Sequence, residues 1–151
     1  MNESGTDKIE IVVKKLGDES LDDSFRKILK EKFFDERYIE QKIKNLFNDQ
    51  FLLQPFLFDD SVFFKDEQKE NNEIIVFIGF SEKGIILNDN DNVKFLFIIL
   101  FSPDLKNKYL ELLGYLKRLL SSKNFKQRIL SSKDEMEIKE TFVKELKDLE
   151  I

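Results

Sequence analysis

The chain contains no cysteine, no tryptophan and no histidine among its 151 residues. Without cysteine there is no disulfide, no thiolate nucleophile and no cysteine-based zinc or iron–sulfur site. Without histidine, the commonest general base and metal ligand of proteins is missing. These absences exclude Ser-His-Asp catalysis, histidine-based zinc chemistry and a phosphohistidine relay within this chain. The sequence predicts neither a cofactor nor a metal site.

Charge and hydropathy exclude further classes of protein. A net charge of −5 and a pI near 5.0 argue against nucleic-acid binding, which depends on lysine and arginine to neutralise phosphates. The longest apolar stretch, residues 95–101, is far below the roughly 20 residues that span a bilayer. The first seven residues are polar and acidic, unlike a signal peptide. We therefore expect a cytoplasmic protein, and the length predicts a single domain over residues 1–151.

Apolar periodicity predicts a strand, two helices and then several strands. The alternation of Ile9, Ile11 and Val13 indicates the first strand. The first helix opens with the capping-box spacing Ser20-x-x-Asp23, and Asp35 is the predicted N-cap of the second. The later strand candidates are 62–64, 74–80, 85–87 and 93–101, with a polar loop over 65–73 and a turn over 88–92.

After residue 103 the apolar period is again helical, through to the C-terminus. Leu-Ser-Ser-Lys occurs at 120–123 and again at 130–133, and each copy fits a helix end followed by the next N-cap. The second copy predicts a capping box, Ser132-x-x-Glu135. The predicted fold class is α/β, a three-layer sandwich with a mixed central sheet flanked by helices.

Two short motifs imitate ligand-binding loops but lack essential residues. Residues 79–84 have the glycine spacing of a P-loop, yet Ile85 and Ile86 stand where lysine and serine or threonine would bind phosphate and magnesium. A hairpin turn is predicted there instead. Residues 88–92 carry alternating oxygen ligands like a calcium loop, but Val93 replaces its turn glycine, which favours a solvated turn.

Charged residues form two groups along the chain. The acidic group around the 62–64 strand is assigned to the surface, because nothing positions a catalytic partner; it comprises Asp59, Asp60, Asp66 and Glu67. Residues 106–133 hold eight basic residues and one acidic residue, Glu111. This basic stretch is either the solvated faces of two helices or a surface for an acidic protein, an anion or lipid headgroups. Solvated faces are favoured, since aromatic residues are not interleaved with the basic residues in a pattern that suggests base stacking.

Residues 93–103 and 109–120 resemble the C-terminal half of fructose/mannitol-type (type 2) enzyme IIA domains of the sugar phosphotransferase system. In that family a hydrophobic strand ends near a proline and precedes a helix that begins with His-Leu. The order of the upstream elements agrees as well, so the resemblance covers residues 9–145. It implies a phosphotransferase/anion-transport-protein-like fold.

The resemblance also identifies two reactive positions, and this sequence departs from the family at both. The family's phosphate-accepting histidine ends a Gly-x-Ala-x-Pro-His segment, which residues 61–66 match with Lys65 in place of proline and Asp66 in place of histidine. The second histidine corresponds to Tyr109. The family reaction needs a neutral, nucleophilic imidazole. A carboxylate carries only part of the charge of a phosphorylated site, and a tyrosine of pKa about 10 is no base at neutral pH.

The resemblance therefore implies a pseudoenzyme, a catalytically inactive enzyme IIA-like domain that regulates or binds a partner protein. The candidate contact surface is the face around Asp66 and Tyr109, ahead of the basic helix face, and the candidate binding residues are Asp66, Tyr109, Lys106 and Lys108. Two alternatives stay open. One is phosphoryl transfer through Asp66, and the other is a cytosolic regulatory domain associated with a membrane transporter, in which the basic stretch meets anionic lipid. Any membrane contact is expected to be indirect.

Overall fold

The computed structural model describes residues 8–53, 56–58, 60–68, 73–87, 92–132 and 134–147. The elements follow one another as a strand, two helices, four strands and three helices. Their bounds are β1 Lys8–Lys15, α1 Leu21–Leu29, α2 Glu36–Leu53, β2 Phe56–Phe58, β3 Ser61–Glu67, β4 Glu73–Ile86, β5 Asn92–Phe101, α3 Lys106–Ser121, α4 Lys123–Leu130 and α5 Glu135–Leu146. A 3₁₀ turn, Pro103–Leu105, connects β5 to α3.

The five strands form one mixed sheet in the order β1-β4-β5-β3-β2. The pairs β1–β4 and β3–β5 are parallel, whereas β4–β5 and β2–β3 are antiparallel. Helices α1 and α2 cover one face of the sheet, and α3, α4 and α5 cover the other. This arrangement confirms the predicted three-layer α/β sandwich.

The centre of the sheet is buried on both faces, which explains its almost continuous apolar sequence. Side chains of β4 alternate between the faces: Val76 packs toward α3–α5, and Phe77 packs toward α1 and α2. Phe97 and Ile98 of β5 divide in the same way. The prediction that the 93–101 strand has both faces covered is therefore confirmed.

The hairpin turn predicted at residues 79–84 is wrong. These residues lie inside the single long strand β4, which has a register shift between Phe80 and Ile85. The hydroxyl of Ser81 explains the irregularity, because it accepts from the Gly84 N–H (3.1 Å) and donates to the carbonyl oxygen of Gly17 (2.7 Å). Gly84 has φ +96°, a conformation that favours glycine. The segment is a β-bulge fixed by a distant loop, and it is not a phosphate-binding turn.

The polar loop predicted over residues 65–73 is shorter than expected. Strand β3 continues to Glu67, because it pairs with β5 up to Phe101. Residues 69–72 lie outside the described part of the chain, as do 88–91 of the predicted solvated turn. The 14-residue strand β4 begins at Glu73. Across the described ranges, none of the helices has both the length and the apolar character needed to cross a membrane.

Three of the predicted helix caps are confirmed. Ser20 Oγ accepts from the Asp23 N–H at 3.2 Å, and Asp35 Oδ1 accepts from the Arg37 N–H at 2.9 Å. Ser122 ends α3 and also caps α4, as the first Leu-Ser-Ser-Lys copy predicted. Each cap satisfies a backbone donor that the first helical turn leaves without a partner.

The predicted cap of the last helix is wrong. Asp134 is the N-cap of α5, and its Oδ1 accepts from the Glu137 N–H at 3.0 Å. Ser132 donates instead to the carbonyl oxygen of Arg128 at 2.8 Å, at the end of α4. Its hydroxyl is thus committed to the preceding helix, and the nearby carboxylate takes over the N-cap role.

Candidate functional site

The predicted site residues gather at one end of the sheet, where β3 and β5 finish side by side. Asp66 pairs in register with Leu100, and Glu67 pairs with Phe101. The chain then turns through Pro103–Leu105 into α3, whose first residues include Lys106, Lys108 and Tyr109. Parallel pairing of β3 with β5 brings these separate parts of the sequence together.

Asp66 is held by three hydrogen bonds and is only 17% exposed. Its Oδ2 accepts from Lys42 Nζ at 3.0 Å and from Asn45 Nδ2 at 3.1 Å. Its Oδ1 accepts from the N–H of Glu67 at 2.9 Å. Gln41 fixes the amide of Asn45, because its Nε2 donates to Asn45 Oδ1 at 3.1 Å. Both carboxylate oxygens therefore have donors from within the chain.

Lys42 is the most buried charged group in this cluster, with a side chain 8% exposed. Besides Asp66, its ammonium contacts the carbonyl oxygen of Glu67 at 2.8 Å and lies 5.5 Å from the centre of the Tyr38 ring. A buried ammonium needs such partners to replace its lost water. The Lys42–Asp66 ion pair therefore fastens α2 to the end of β3.

Tyr109 is buried among apolar side chains and is 6% exposed. Its ring stacks on Phe101, with 4.4 Å between ring centres and 7° between planes. Burial raises the pKa of its hydroxyl to about 12, because the phenolate would lose its hydration. At neutral pH this residue is a neutral core aromatic that cannot serve as a base.

Asp66 and Tyr109 do not form one surface, so the candidate contact surface expected from the sequence is wrong. Side chains alternate along β3, so Asp66 points to the same face as Val62 and Phe64, toward α2. Tyr109 packs on the opposite face, in the cluster that contains Phe101. The sheet itself separates the two residues.

The strand residues that share a face with Tyr109 are Lys65 and Glu67. They follow the alternation of Phe63, which packs on the α3–α5 side. Both are exposed, and Glu67 lies opposite Phe101, the stacking partner of Tyr109. A strand residue that faces Tyr109 at this end of the sheet is therefore Lys65 or Glu67, and it is not Asp66.

The basic stretch is partly neutralised by acidic residues of other elements. Lys126 Nζ lies 3.0 Å from Asp60 Oδ1, and Arg128 lies 3.0 Å from Glu145 Oε1. Lys106 is exposed, whereas Lys108 is half-buried and has an interaction partner. Lys133 lies outside the described residues.

The described acidic residues near β3 do not form one cluster. Asp60 precedes β3 and Asp66 lies near its other end, so roughly 20 Å of strand separates them. Each has its own lysine partner, Lys126 and Lys42 respectively. Asp59 lies outside the described residues. Within the part of the chain that the structure describes, no group of three or more acidic side chains could hold a metal ion.

The sequence analysis did not identify the two α2 residues that bind Asp66, although the position of one of them, Lys42, indicates a buried partner. Lys42 lies three residues after Ile39 and four before Leu46, which are both core residues. That spacing puts Lys42 on the buried stripe of α2. A lysine on such a stripe requires a buried partner. Asn45 carried no comparable signal.

Comparison with known proteins agrees with this architecture. The model of the family described as "Phosphoenolpyruvate-dependent sugar phosphotransferase system, EIIA 2" matches residues 60–145, which is more than half of the chain. The crystal structure of nitrogen regulatory protein IIA-Ntr from Neisseria meningitidis superposes with a TM-score of 0.65 at 16% identity, covering 88% of this chain and 91% of that one. This second likeness shows a shared fold. Among curated proteins, no significant match was found. The chain belongs to the EIIA type 2 family of the phosphoenolpyruvate-dependent sugar phosphotransferase system.

Proposed function

We propose that this EIIA-like domain does not transfer phosphoryl groups and acts instead as a regulatory module that binds a partner protein. The observation that carries the proposal is the absence of histidine from the sequence of a family member. In the family that the sequence resembles, the phosphoryl group passes between imidazole nitrogens, and this chain has no imidazole to accept it.

The surroundings of Asp66 support the loss of phosphoryl transfer. A carboxylate that attacks phosphorus must present a free lone pair in line with the leaving group. Both oxygens of Asp66 already accept hydrogen bonds, from Lys42, Asn45 and the Glu67 N–H. Attack through Oδ2 would have to displace Lys42 or Asn45, and Oδ1 keeps one acceptor site on a side chain that is only 17% exposed, so access for a phosphoryl donor is restricted.

The surroundings of Tyr109 support the same conclusion. The residue stands where the family resemblance expects the second histidine, but it is stacked on Phe101 and largely excluded from solvent. With a pKa raised to about 12 by burial, its hydroxyl stays protonated across the physiological range. It therefore supplies neither a nucleophile nor a general base.

The surface proposed for the partner lies at the end of the sheet. We call it the strand-end surface and define it by the exposed residues Lys65, Glu67 and Lys106. Two chain segments that are distant in sequence meet there, at the ends of β3 and β5. This surface replaces the Asp66–Tyr109 face, because those two side chains lie on opposite sides of the sheet.

The first experiment asks whether the protein accepts phosphate. The full chain is incubated with a purified phosphoenolpyruvate-driven phosphotransfer chain and radiolabelled phosphoenolpyruvate, beside a histidine-containing EIIA domain as the positive control. We expect label on the control and no stoichiometric label on this protein. Stoichiometric, base-labile label that disappears in Asp66→Asn would overturn the proposal and establish phosphoryl transfer through Asp66.

The second experiment asks whether the strand-end surface binds a protein. A photo-crosslinking residue introduced at Lys65 would capture the partner in cells, and the identified partner would then be purified and titrated against the domain. We expect Lys106→Glu with Glu67→Lys to weaken this binding about tenfold or more, as charge reversals in an interface do. Lys123→Glu, an exposed reversal at the start of α4, should leave it unchanged. Equal affinity of all variants would exclude this surface.

A further inference from the structure

Strand β1 lies at the edge of the sheet, and no other described strand pairs with its outer side. In the strand order β1 pairs with β4 alone among the described strands. The N–H of Leu16, next after β1, donates to the carbonyl oxygen of Phe80 at 2.7 Å, so even-numbered residues here bond toward β4. Backbone groups alternate between the two edges of a strand. The N–H and C=O groups of Ile9, Ile11 and Val13 therefore point outward.

Among the described residues, a side chain covers one end of this outer edge. The N–H of Lys15 donates to Glu135 Oε2 at 2.7 Å, so a side chain from α5 satisfies the last outward donor. Beside the remaining edge lies a cleft of about 650 Å³ between the end of α1 and the start of α5. Met136 is 65% exposed and lines this cleft. An unpaired edge beside an exposed apolar side chain is a site for strand addition.

We propose that β1 pairs with β1 of a second copy of this chain, antiparallel and about a two-fold axis, so that the two sheets become continuous. The sequence of β1 complements itself in one register. When Val12 faces Val12 of the second copy, Glu10 faces Lys14 and Lys14 faces Glu10. In the same register Ile11 and Val13 exchange backbone hydrogen bonds across the axis, because their groups point outward.

The side chains that would meet in this register share one face of the sheet. Glu10, Val12 and Lys14 are half-buried and alternate with Ile11 and Val13, which are buried on the α3–α5 side. Within one copy, Glu10 binds Lys32 at 2.6 Å and Lys14 lies 3.5 Å from Glu31. The cross-strand partners would join these ion pairs into a network of alternating charge.

Neighbouring registers are less favourable. Shifting the axis to Ile11 leaves Glu10 opposite Val12 of the second copy. Shifting it toward Val13 sets Lys14 opposite Val12. Of these three registers, the Val12-centred one alone places opposite charges on both sides of an apolar pair. It also leaves the Lys15–Glu135 bond of each copy intact.

The test is a charge-swap series read by sedimentation equilibrium on the full chain. We expect a concentration-dependent dimer whose Kd rises about tenfold or more in Glu10→Lys and in Lys14→Glu, since each change affects two symmetry-related pairs. The double variant should recover most of the affinity, because the exchanged side chains would again place opposite charges face to face across the axis. Within one copy the double swap creates three repulsions, with Lys32, Glu31 and Glu135, so recovery cannot come from the monomer.

The control is Glu111→Lys, an exposed reversal of equal charge on α3, which should leave the Kd unchanged. Thermal melts check that each variant is folded. Hydrogen exchange gives a second readout: the amides of Ile11 and Val13 should gain protection as concentration rises, whereas those of Val12 and Lys14, which bond to β4, should not. A monomer at all concentrations, or a dimer indifferent to both single reversals, would overturn the proposal.

Discussion

Tyr109 packs as a core aromatic residue at the position where the family resemblance expects a histidine. An imidazole in its position would gain or lose a proton near neutral pH, and it would need water or a polar partner to exchange that proton. A tyrosine stacked on Phe101 instead contributes apolar contact area and a neutral hydroxyl. Its raised pKa is the electrostatic signature of that burial. The same burial makes the stability of the protein decrease at high pH, where the tyrosine hydroxyl loses its proton.

The first prediction concerns the pH dependence of stability. The pKa of Tyr109 is about 12 in the folded protein and about 10 when unfolded, so the folded state holds its proton more tightly. The stability from this group is complete below pH 10 and is lost as pH rises toward 12. Urea unfolding at pH 9 and pH 11 should show wild type losing about 1 kcal/mol more than Tyr109→Phe. Equal losses in the two proteins would contradict this assignment.

The second prediction concerns the buried ion pair of Lys42 and Asp66. Lys42→Met leaves Asp66 without its charged partner and should cost about 1–3 kcal/mol of unfolding free energy. Asp66→Asn should also destabilise, and the double variant should cost clearly less than the sum, since neither charge is then left alone. The matched control is the Lys27–Glu19 pair, with side chains 44% and 24% exposed. Lys27→Met should cost much less than Lys42→Met, because water screens an exposed ion pair. Additive costs at Lys42 and Asp66 would argue against direct coupling.

At the scale of elements, the boundary between α4 and α5 shows how a hydroxyl and a carboxylate divide two capping tasks. Ser132 serves the end of one helix, and Asp134 starts the next. A capping-box pattern read from sequence selects the wrong residue here, because it cannot tell which helix a serine will serve. The difference between the two roles can be measured.

The third prediction compares the two residues directly. Asp134→Ala removes the N-cap of α5 and the favourable charge at its N-terminus, so it should cost about 1–2 kcal/mol. Ser132→Ala removes one hydrogen bond at an exposed helix end and should cost about 0.5 kcal/mol or less. Chemical denaturation of both variants decides between the two assignments. A larger loss for Ser132→Ala would restore the capping box predicted from the sequence.

Local patterns predicted the elements well, because the forces that form them act between near neighbours. The apolar stripes of α1 and α3, the cap at Ser20 and the alternating strands all depend on residues a few positions apart. The bulge in β4 could not be predicted in this way. It depends on the bond from Ser81 to the carbonyl oxygen of Gly17, which joins positions 64 residues apart.

At the scale of the whole molecule, the pairing of charged residues also depends on contacts between distant parts of the sequence. The sequence contains a basic stretch in an acidic protein, but folding brings Asp60 to Lys126 and Glu145 to Arg128. The candidate site was likewise only partly predictable. The family resemblance identified Asp66 and Tyr109, yet their separation by the sheet and the pairing of Asp66 with Lys42 depend on strand pairing and on the docking of α2.

The last prediction follows from this pairing of charges and tests the lipid-binding alternative. Attraction to an anionic membrane contributes about 1 kcal/mol per basic residue near the surface, so several basic residues must act together. Ion pairs to Asp60 and Glu145 occupy two of the eight basic residues, and Arg118 lies over the Tyr115 ring. With a net charge of −5 as well, the protein should not co-sediment with phosphatidylserine-rich vesicles at low salt. The double variant Asp60→Asn/Glu145→Gln removes both ion pairs and should bind measurably more. Binding of the wild type that is abolished by Lys106→Glu and Lys123→Glu would instead support a domain that meets a membrane through α3 and α4.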